Sequence, residues 1–470
     1  MRPVLLGFLL LAACSRDSDV TAFQAAFRII SPSPDGVANE ARPLVRWTQV
    51  PGSFSYRVRV YADATRATLL EQEEVRAEEA RLTGPLADGR SVYVEVQSVP
   101  SGLRTGLRRF RILLLPESFP ALELVRDDAA RSQGGYKLFN LLDIKTPPGE
   151  DKVPAMVLVN RAGEVVWWYV HPGKGILTDP RVLPGDTLTF IVRDNVDPKN
   201  TTSVGYEITW DGTVVWRSRP GALLHHELAP GPDSMRLYMV YLSETVGGVS
   251  YESDGLELVD PATNQVLWTW SVLDHFRPQD FQVPEIDHEG LSHLGVDWSH
   301  ANAAVWDPAR SLIWVSIRHF DRIVGVDYPS GEIRVTLGKG GLGPPDAMSH
   351  QHAPEVEEDG SILFWDNGNT HVPPVSRVKM FSFDESSAAF APVFEWEDDP
   401  PFFDFALGDA DRLPNGDILA TAGVSGRVIE IDLEGRIVWE LRMDVSRHWI
   451  YRTQQVPDAL IPSSVLPFAD

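Results

Sequence analysis

The 470-residue chain carries 66 Asp and Glu against 42 Lys and Arg, a formal net charge of −24. Such a field repels nucleic acid and anionic membrane surfaces, so neither is expected as a principal partner. Apolar residues make up 43% and aromatic residues 10%, which excludes a disordered chain, while 36 Gly, 36 Pro and 14 Trp point to many short strands joined by turns.

The first residues read as an export signal. Arg2 gives a positive start, residues 4–11 form an apolar run, and Leu11-Ala12-Ala13-Cys14 follows. Small residues before a cysteine, after so short a run, match a bacterial lipoprotein cleavage site. The competing reading, a short transmembrane anchor, is disfavoured because the run is too short to cross a bilayer comfortably. Residues 1–13 are therefore expected to be a lipoprotein signal peptide, with Cys14 the lipidated first residue and 14–24 a polar tether. The protein would be exported and lipid-anchored, periplasmic or at the outer membrane or cell surface, touching membrane only through Cys14. Cys14 is the single cysteine, so the mature chain has no thiol left for disulfides, redox work or thiolate metal sites.

Residues 25–116 show period-two alternation broken by turns. Strands are expected at 27–30, 44–47, 56–62, 68–75, 91–98 and 107–114, with Trp47, Tyr56 and Tyr93 as core anchors. The stretch Leu82-Thr83-Gly84-Pro85-Leu86 before Tyr93 looks like the corner before a late strand of a fibronectin type III or Ig-like β-sandwich.

After a linker at 116–120, a repeat occupies residues 121–460. Its unit is a strand, a tight turn rich in Gly, Asp or Asn, and a second strand often ending in Trp. The copies are 157–167, 206–216, 256–270, 323–337, 379–396 and 428–441. Most intervals are long enough for one four-stranded blade, and each copy reads as the outer hairpin of its blade, so six copies predict a six-bladed β-propeller. Two further turn-then-strand segments, 413–419 and 358–364, read as strands nearer the channel. Strand periodicity excludes a helical solenoid. A large sandwich of ordinary hairpins is the bland alternative.

Ten of the twelve histidines fall between His225 and His371, and the first 116 residues have none. Loops entering successive blades meet at one mouth of a propeller channel, so distant residues can converge there. Five stretches stand out: His225-His226-Glu227; Asp297-Trp298-Ser299-His300-Ala301-Asn302; Ser316-Ile317-Arg318-His319; His350-Gln351-His352-Ala353-Pro354; and Trp365-Asp366-Asn367-Gly368-Asn369.

In that order, these elements resemble the bacterial arylsulfate sulfotransferases that do not use phosphoadenosine phosphosulfate. The resemblance covers residues ~120–450 and implies a six-bladed propeller that can carry an N-terminal β-sandwich. It implies ping-pong sulfuryl transfer from an aryl sulfate to a phenol through a sulfated histidine. His352 matches the nucleophile, and His300, Arg318 and one of His225 and His226 match donors to the sulfuryl oxygens. Asn302, Asn367 and Trp298 are candidate substrate contacts. Where the family follows its His-His pair with an aspartate and a short Gly-containing turn, this chain has Glu227 and Ala229-Pro230-Gly231-Pro232-Asp233.

The chemistry stands on the residue types alone. A neutral imidazole nitrogen is a competent nucleophile near pH 7. Arg318 offers a planar fork of donors to sulfuryl oxygens, and histidine N–H groups can stabilise developing charge or protonate a leaving phenolate. No metal or other cofactor is demanded. Trp298, Phe320 and Trp365 can stack on an aryl ring or serve as core, the commoner role for any one of them. On a regular strand His225 and His226 point to opposite faces, and His319 would face away from Arg318. Two other classes of function compete: a metal-dependent propeller lyase or hydrolase on acidic sugars, using the clustered histidines as ligands, and a non-catalytic surface binding module. A homodimer is left open.

Overall fold

The computed structural model describes residues 26–146, 152–194, 202–280 and 295–466. Cys14 and the segment around it lie outside the described residues, as do His288 and His293. No helix among the described residues is long and apolar enough to cross a membrane. The chain separates into two compact units, the first ending at Glu117 and the second running Ser118–Leu466.

The first unit is all strand. One sheet joins Ile29–Ser31, Leu44–Trp47 and Glu79–Arg81; the other has the order Gly36–Ala38, Arg108–Ile112, Ser91–Val99, Ser55–Tyr61, Leu69–Val75. Alternate residues Val58, Val60, Val92, Val94 and Val96 bury against Val45 and Trp47 of the opposing sheet in one core, as period-two alternation requires. Trp47 meets Tyr56 edge-on at 5.5 Å, and the Tyr56 hydroxyl accepts the Val50 N–H at 3.0 Å. Tyr93, expected as a third anchor, is only half-buried. It sits between the inward-facing Val92 and Val94 and opposite Tyr61, so the pleat turns it outward. Gly36–Ala38 and Glu79–Arg81 escape the sequence reading because three residues are too few to show a period.

Among the described residues the second unit contains six sheets taken in chain order, antiparallel except where Val296–Asp297 runs parallel to Val249–Val259. The third and fourth strands of each are the six hairpins expected from the repeat: Ala155–Val159 with Val165–Val170, Thr202–Thr209 with Val214–Arg217, Val249–Val259 with Val266–Ser271, Arg322–Asp327 with Ile333–Gly338, Arg377–Asp384 with Ala389–Trp396, and Arg427–Ile431 with Ile437–Met443. The segments at 358–364 and 413–419 lead into second strands, Ile362–Asp366 and Ile418–Ala422. The first strands lie side by side. Ile176–Leu183 neighbours Leu224–Pro230, followed by Ala301–Asp307, His352–Val356 and Asp409–Arg412. Sheet one takes its innermost strands from far along the chain, because His448–Trp449 and Thr453–Val456 pair with Tyr136–Asp143. Thr453–Val456 then touches both Ile176–Leu183 of sheet two and Ile418–Ala422 of sheet six. Leu122–Asp127 supplies the outer edge of sheet six.

The recurrent tryptophan has a physical role. A buried indole N–H needs an acceptor, and each finds it in the hairpin of the following sheet. Trp167 donates to the Trp210 carbonyl at 3.0 Å, Trp216 to Asn264 Oδ1 at 3.0 Å, Trp270 to the Gly331 carbonyl at 3.0 Å, and Trp396 to the Gly435 carbonyl at 3.1 Å. Trp439 of sheet six donates to the Arg161 carbonyl of sheet one at 2.8 Å. Sheet four has no tryptophan on its last strand; there Arg334 pairs with Glu385 in the hairpin of sheet five at 3.1 Å.

Candidate active site

In an antiparallel sheet the start of the first strand and the end of the second share one edge. Histidines 225, 300 and 352 stand at or beside the starts of the first strands of sheets three, four and five, and Arg318 follows the end of the second strand of sheet four. All therefore come to the same end of neighbouring sheets. They line one cavity of about 530 Å³, and His226 lines it as well. Leu142, Ile144, Ile176, Leu224, Phe405 and Trp449 supply apolar wall.

The histidine pair does what a regular strand would forbid. His226 has φ 56°, in the left-handed region, and the register with the neighbouring strand shifts between His225 and Leu228. This bulge turns both rings to the cavity and overturns the alternation expected from the sequence. Their Nδ1 atoms are 2.7 Å apart, so one N–H donates to the other ring's lone pair. His225 stacks on Tyr241 at 3.9 Å and its Nε2 lies 3.3 Å from Asp254. Burial pushes His225 down to about 3 and His226 well below the usual imidazole range, while Asp254 is pushed up to about 8, again by burial.

His226 is central. Its ring centroid is 5.3 Å from that of His300 and 6.4 Å from that of His352. The Nδ1–H of His352 donates to the Gly408 carbonyl at 2.6 Å. That bond leaves the lone pair on Nε2. Burial first, then the charge of Arg452, holds His352 well below the ordinary imidazole range. His300 gives its Nδ1–H to the Asp297 carboxylate, which orients the ring. Arg318 is 1% exposed and donates to the Phe405 carbonyl at 2.9 Å. Burial lowers its guanidinium to about 10, against the pull of Asp297 and Asp321.

The remaining predicted contacts lie behind the wall. Trp298 is fully buried, packs on Phe320 at 5.1 Å, and belongs to the core between sheets three and four. Asn302 is fully buried and donates to the Gln351 carbonyl at 2.8 Å, bracing the residue before His352. Asn367 donates to the carbonyls of Asp404 and Leu407 at 2.8 and 2.9 Å, pinning the segment that presents Phe405 and Gly408. Phe320 and Trp365 are buried core side chains. His319 does not face away from the site: its ring is 5.0 Å from that of His300. Glu227, at the sequence departure, is wholly buried and bonds Arg452 at 2.9 Å and Arg181.

Three features escaped the sequence reading. Tyr451 lies 5.4 Å from the His352 ring and donates its hydroxyl to the His226 carbonyl at 3.1 Å. Arg452 bonds Asp179 at 3.0 Å, Glu227 at 2.9 Å and the Asn302 carbonyl at 2.9 Å, forming a charged floor under the histidines. Arg193 donates to the Tyr241 hydroxyl. None lies in a repeat copy or beside a histidine, so no local signal marks them. Asp297, His300 and His319 each offer a ligand atom, all within 4.8 Å of one another. Two imidazoles and a carboxylate suit a divalent transition metal.

A family model described as Arylsulfotransferase (ASST) matches residues 145–452. No curated protein matches the sequence. Solved structures similar in outline include two candidate 6-phosphogluconolactonases. The first, from Bacteroides fragilis, has 11% identity and a TM-score of 0.35, covering 87% of this chain and 100% of that one. The second, from Bacteroides uniformis, has 11% identity and a TM-score of 0.36, covering 86% and 99%. The dihydro-heme d1 dehydrogenase NirN in complex with DHE has 12% identity and a TM-score of 0.33, covering 72% and 81%. Scores at this level leave the fold to be argued from the strand order itself.

Proposed function

The chain belongs to the arylsulfotransferase family, and from that premise we propose that it moves a sulfuryl group from an aryl sulfate ester to a phenol through a sulfated His352. The observation that carries the reading is the His352 ring: buried, neutral, and held by Gly408 so that Nε2 keeps its lone pair in a cavity shared with Arg318, His226 and His300. The Nε2 lone pair forms the N–S bond as the S–O bond to the aryl group breaks; the phenolate leaves with the electron pair and takes its proton from solvent. An acceptor phenol then loses its proton to solvent and attacks the sulfur, and the N–S bond breaks with its electron pair returning to Nε2, which restores neutral His352. Arg318 stabilises the sulfuryl oxygens where charge builds, joined by the Nε2–H of His226 when His225 donates the Nδ1–H between them; His300, whose Nδ1–H is held by Asp297, adds an Nε2–H in its protonated form.

The strand order supports a six-bladed β-propeller for residues 121–460, closed by the strands at 448–456, preceded by a fibronectin type III or Ig-like sandwich at 25–116. Attachment through lipidated Cys14 after export, in the periplasm or at the outer membrane, is part of the same proposal and rests on the run before Leu11-Ala12-Ala13-Cys14.

The test is phenol release from a chromogenic aryl sulfate, stimulated by a second phenol, with chelator present. Full activity under chelation supports the transferase. The metal-ligand geometry of Asp297, His300 and His319 favours a second reading, a metal-dependent lyase or hydrolase, and activity restored only by added metal selects it. Arg318→Ala is expected to lower kcat by about 10²–10³-fold, the effect of removing a charge-stabilising donor. A pH–rate profile checks His352. A protonated ring has no nucleophilic lone pair, and the folded protein holds its pKa well below 6.5. The His352-dependent step should therefore keep its rate as pH falls from 8 through 6.5 and lose it only in more acid solution; a half-maximal point at 6.5 contradicts the buried neutral ring.

A further inference from the structure

The cavity wall carries more positive charge than the sulfuryl centre accounts for. Besides Arg318, it is lined by Lys145, Lys152 and Arg193, in a chain whose net charge is −24. These three follow or precede strand ends in sheets one and two, on elements other than those bearing His300, Arg318 and His352. Arg193 is held in place: it donates to the Tyr241 hydroxyl, its guanidinium sits 5.8 Å from the Tyr241 ring centre, and that ring stacks on His225 at 15°. The cation thus stands one stacked ring beyond the histidine pair. Lys145 Nζ is fixed by the Val445 carbonyl at 2.9 Å. Lys152 is half-buried, and its ammonium is pushed below the usual range by burial first and by the charge of Arg193 as well, with Asp143 pulling the other way. Two cations that oppose each other on one wall favour an anion beside them.

The acids facing this cavity do not fill that role equally. Asp254 is pushed up to about 8 by burial, which favours its neutral form over a counter-charge. Asp297 accepts the His300 N–H. Glu252 is the remaining carboxylate on the wall. Leu142, Ile144, Phe405 and Trp449 line the same cavity, and Phe405 and Trp449 meet edge-on at 5.8 Å. An aromatic ring fits such a surface.

We propose that Lys145, Lys152 and Arg193 form a subsite for a second anionic group on the aryl substrate, so that the preferred donors are aryl sulfates, and the preferred acceptors phenols, whose ring bears a carboxylate or similar anion. This rests on the transferase reading of the same cavity and adds the substrate class.

The full chain is assayed with 4-carboxyphenyl sulfate and with its methyl ester, using one phenol acceptor. The expected result is a kcat/KM for the acid about tenfold or more above that for the ester, set by KM. In the Lys145→Gln/Lys152→Gln double variant the ratio falls to near one. A wild-type ratio of one or less overturns the subsite, as does a variant that slows both substrates by the same factor, because general attraction of anions would do that. Binding of 4-hydroxybenzoate and its methyl ester is measured alongside by calorimetry. If neither sulfate is turned over but the acid binds in preference and the double variant abolishes that preference, the subsite stands and the transferase reading falls. If turnover occurs without any preference for the acid, the transferase stands and the subsite falls.

Discussion

Replacing His352 with Asn removes sulfuryl transfer, lowering kcat by about 10⁴-fold or more, the scale seen when an enzyme loses its nucleophile. Asn is the informative choice. Its side-chain NH₂ can still donate to the Gly408 carbonyl, as Nδ1–H of His352 does at 2.6 Å, so the segment that presents Phe405 and Leu407 keeps its tie. What disappears is the lone pair on Nε2. Incubating the wild-type protein with donor alone should release about one equivalent of phenol per active site and add one sulfuryl group to the peptide containing His352; the variant shows neither. A variant that retains acceptor-stimulated release shows that the acceptor attacks the donor directly, and the covalent step must then be abandoned.

The second large effect is on stability. Arg452→Met should destabilise the second unit by about 3–5 kcal/mol, the cost of leaving buried charge without its partner. Arg452 is 5% exposed and sits between Asp179 and Glu227, which are 1% and 0% exposed. Arg181 also bonds both carboxylates, and Glu355, Asp409 and Asp411 face the same two arginines, so the variant leaves only Arg181 of that pair against these acids. Removing Glu227 charge as well, in Arg452→Met/Glu227→Gln, takes away a buried carboxylate that has lost its partner and should recover part of the loss. Chemical denaturation midpoints of the two single variants and the double variant give the coupling. Simple additivity would mean that the floor under the histidines is not an energetic unit.

The parts of this protein legible in its sequence are those written locally. Five of the six outer hairpins announce themselves by a turn and a tryptophan, because the indole must reach the next hairpin and its N–H must find an acceptor there, as Trp216 does at Asn264. The histidines are legible for a related reason: His225, His300 and His352 each enter a first strand, and repetition of the sheet carries them to one edge. Tyr451 and Arg452 are not legible. Tyr451 reaches the cavity wall and Arg452 the layer beneath the histidines only because Thr453–Val456 pairs with residues some three hundred positions earlier, and nothing near them in the chain records that pairing. The orientation of His226 is hidden as well, since one left-handed residue reverses the face that alternation assigns. Trp298 misleads in the opposite direction. It lies inside a motif rich in site residues, yet its indole fills the core between two sheets.

The late origin of the innermost strands gives the protein an order of assembly. A chain made only as far as sheet six already holds both members of the His225–His226 pair, His300, Arg318 and His352, but it lacks Tyr451, Arg452 and the strands that cover Tyr136–Asp143. In that state the inner edge of sheet one presents bare N–H and C=O groups, which invite pairing with other chains, and His352 stands without the layer beneath it. The residues that seal this edge are the neighbours of those that complete the cavity wall. One short stretch of chain therefore both covers the inner edge of sheet one and completes the cavity wall through Tyr451.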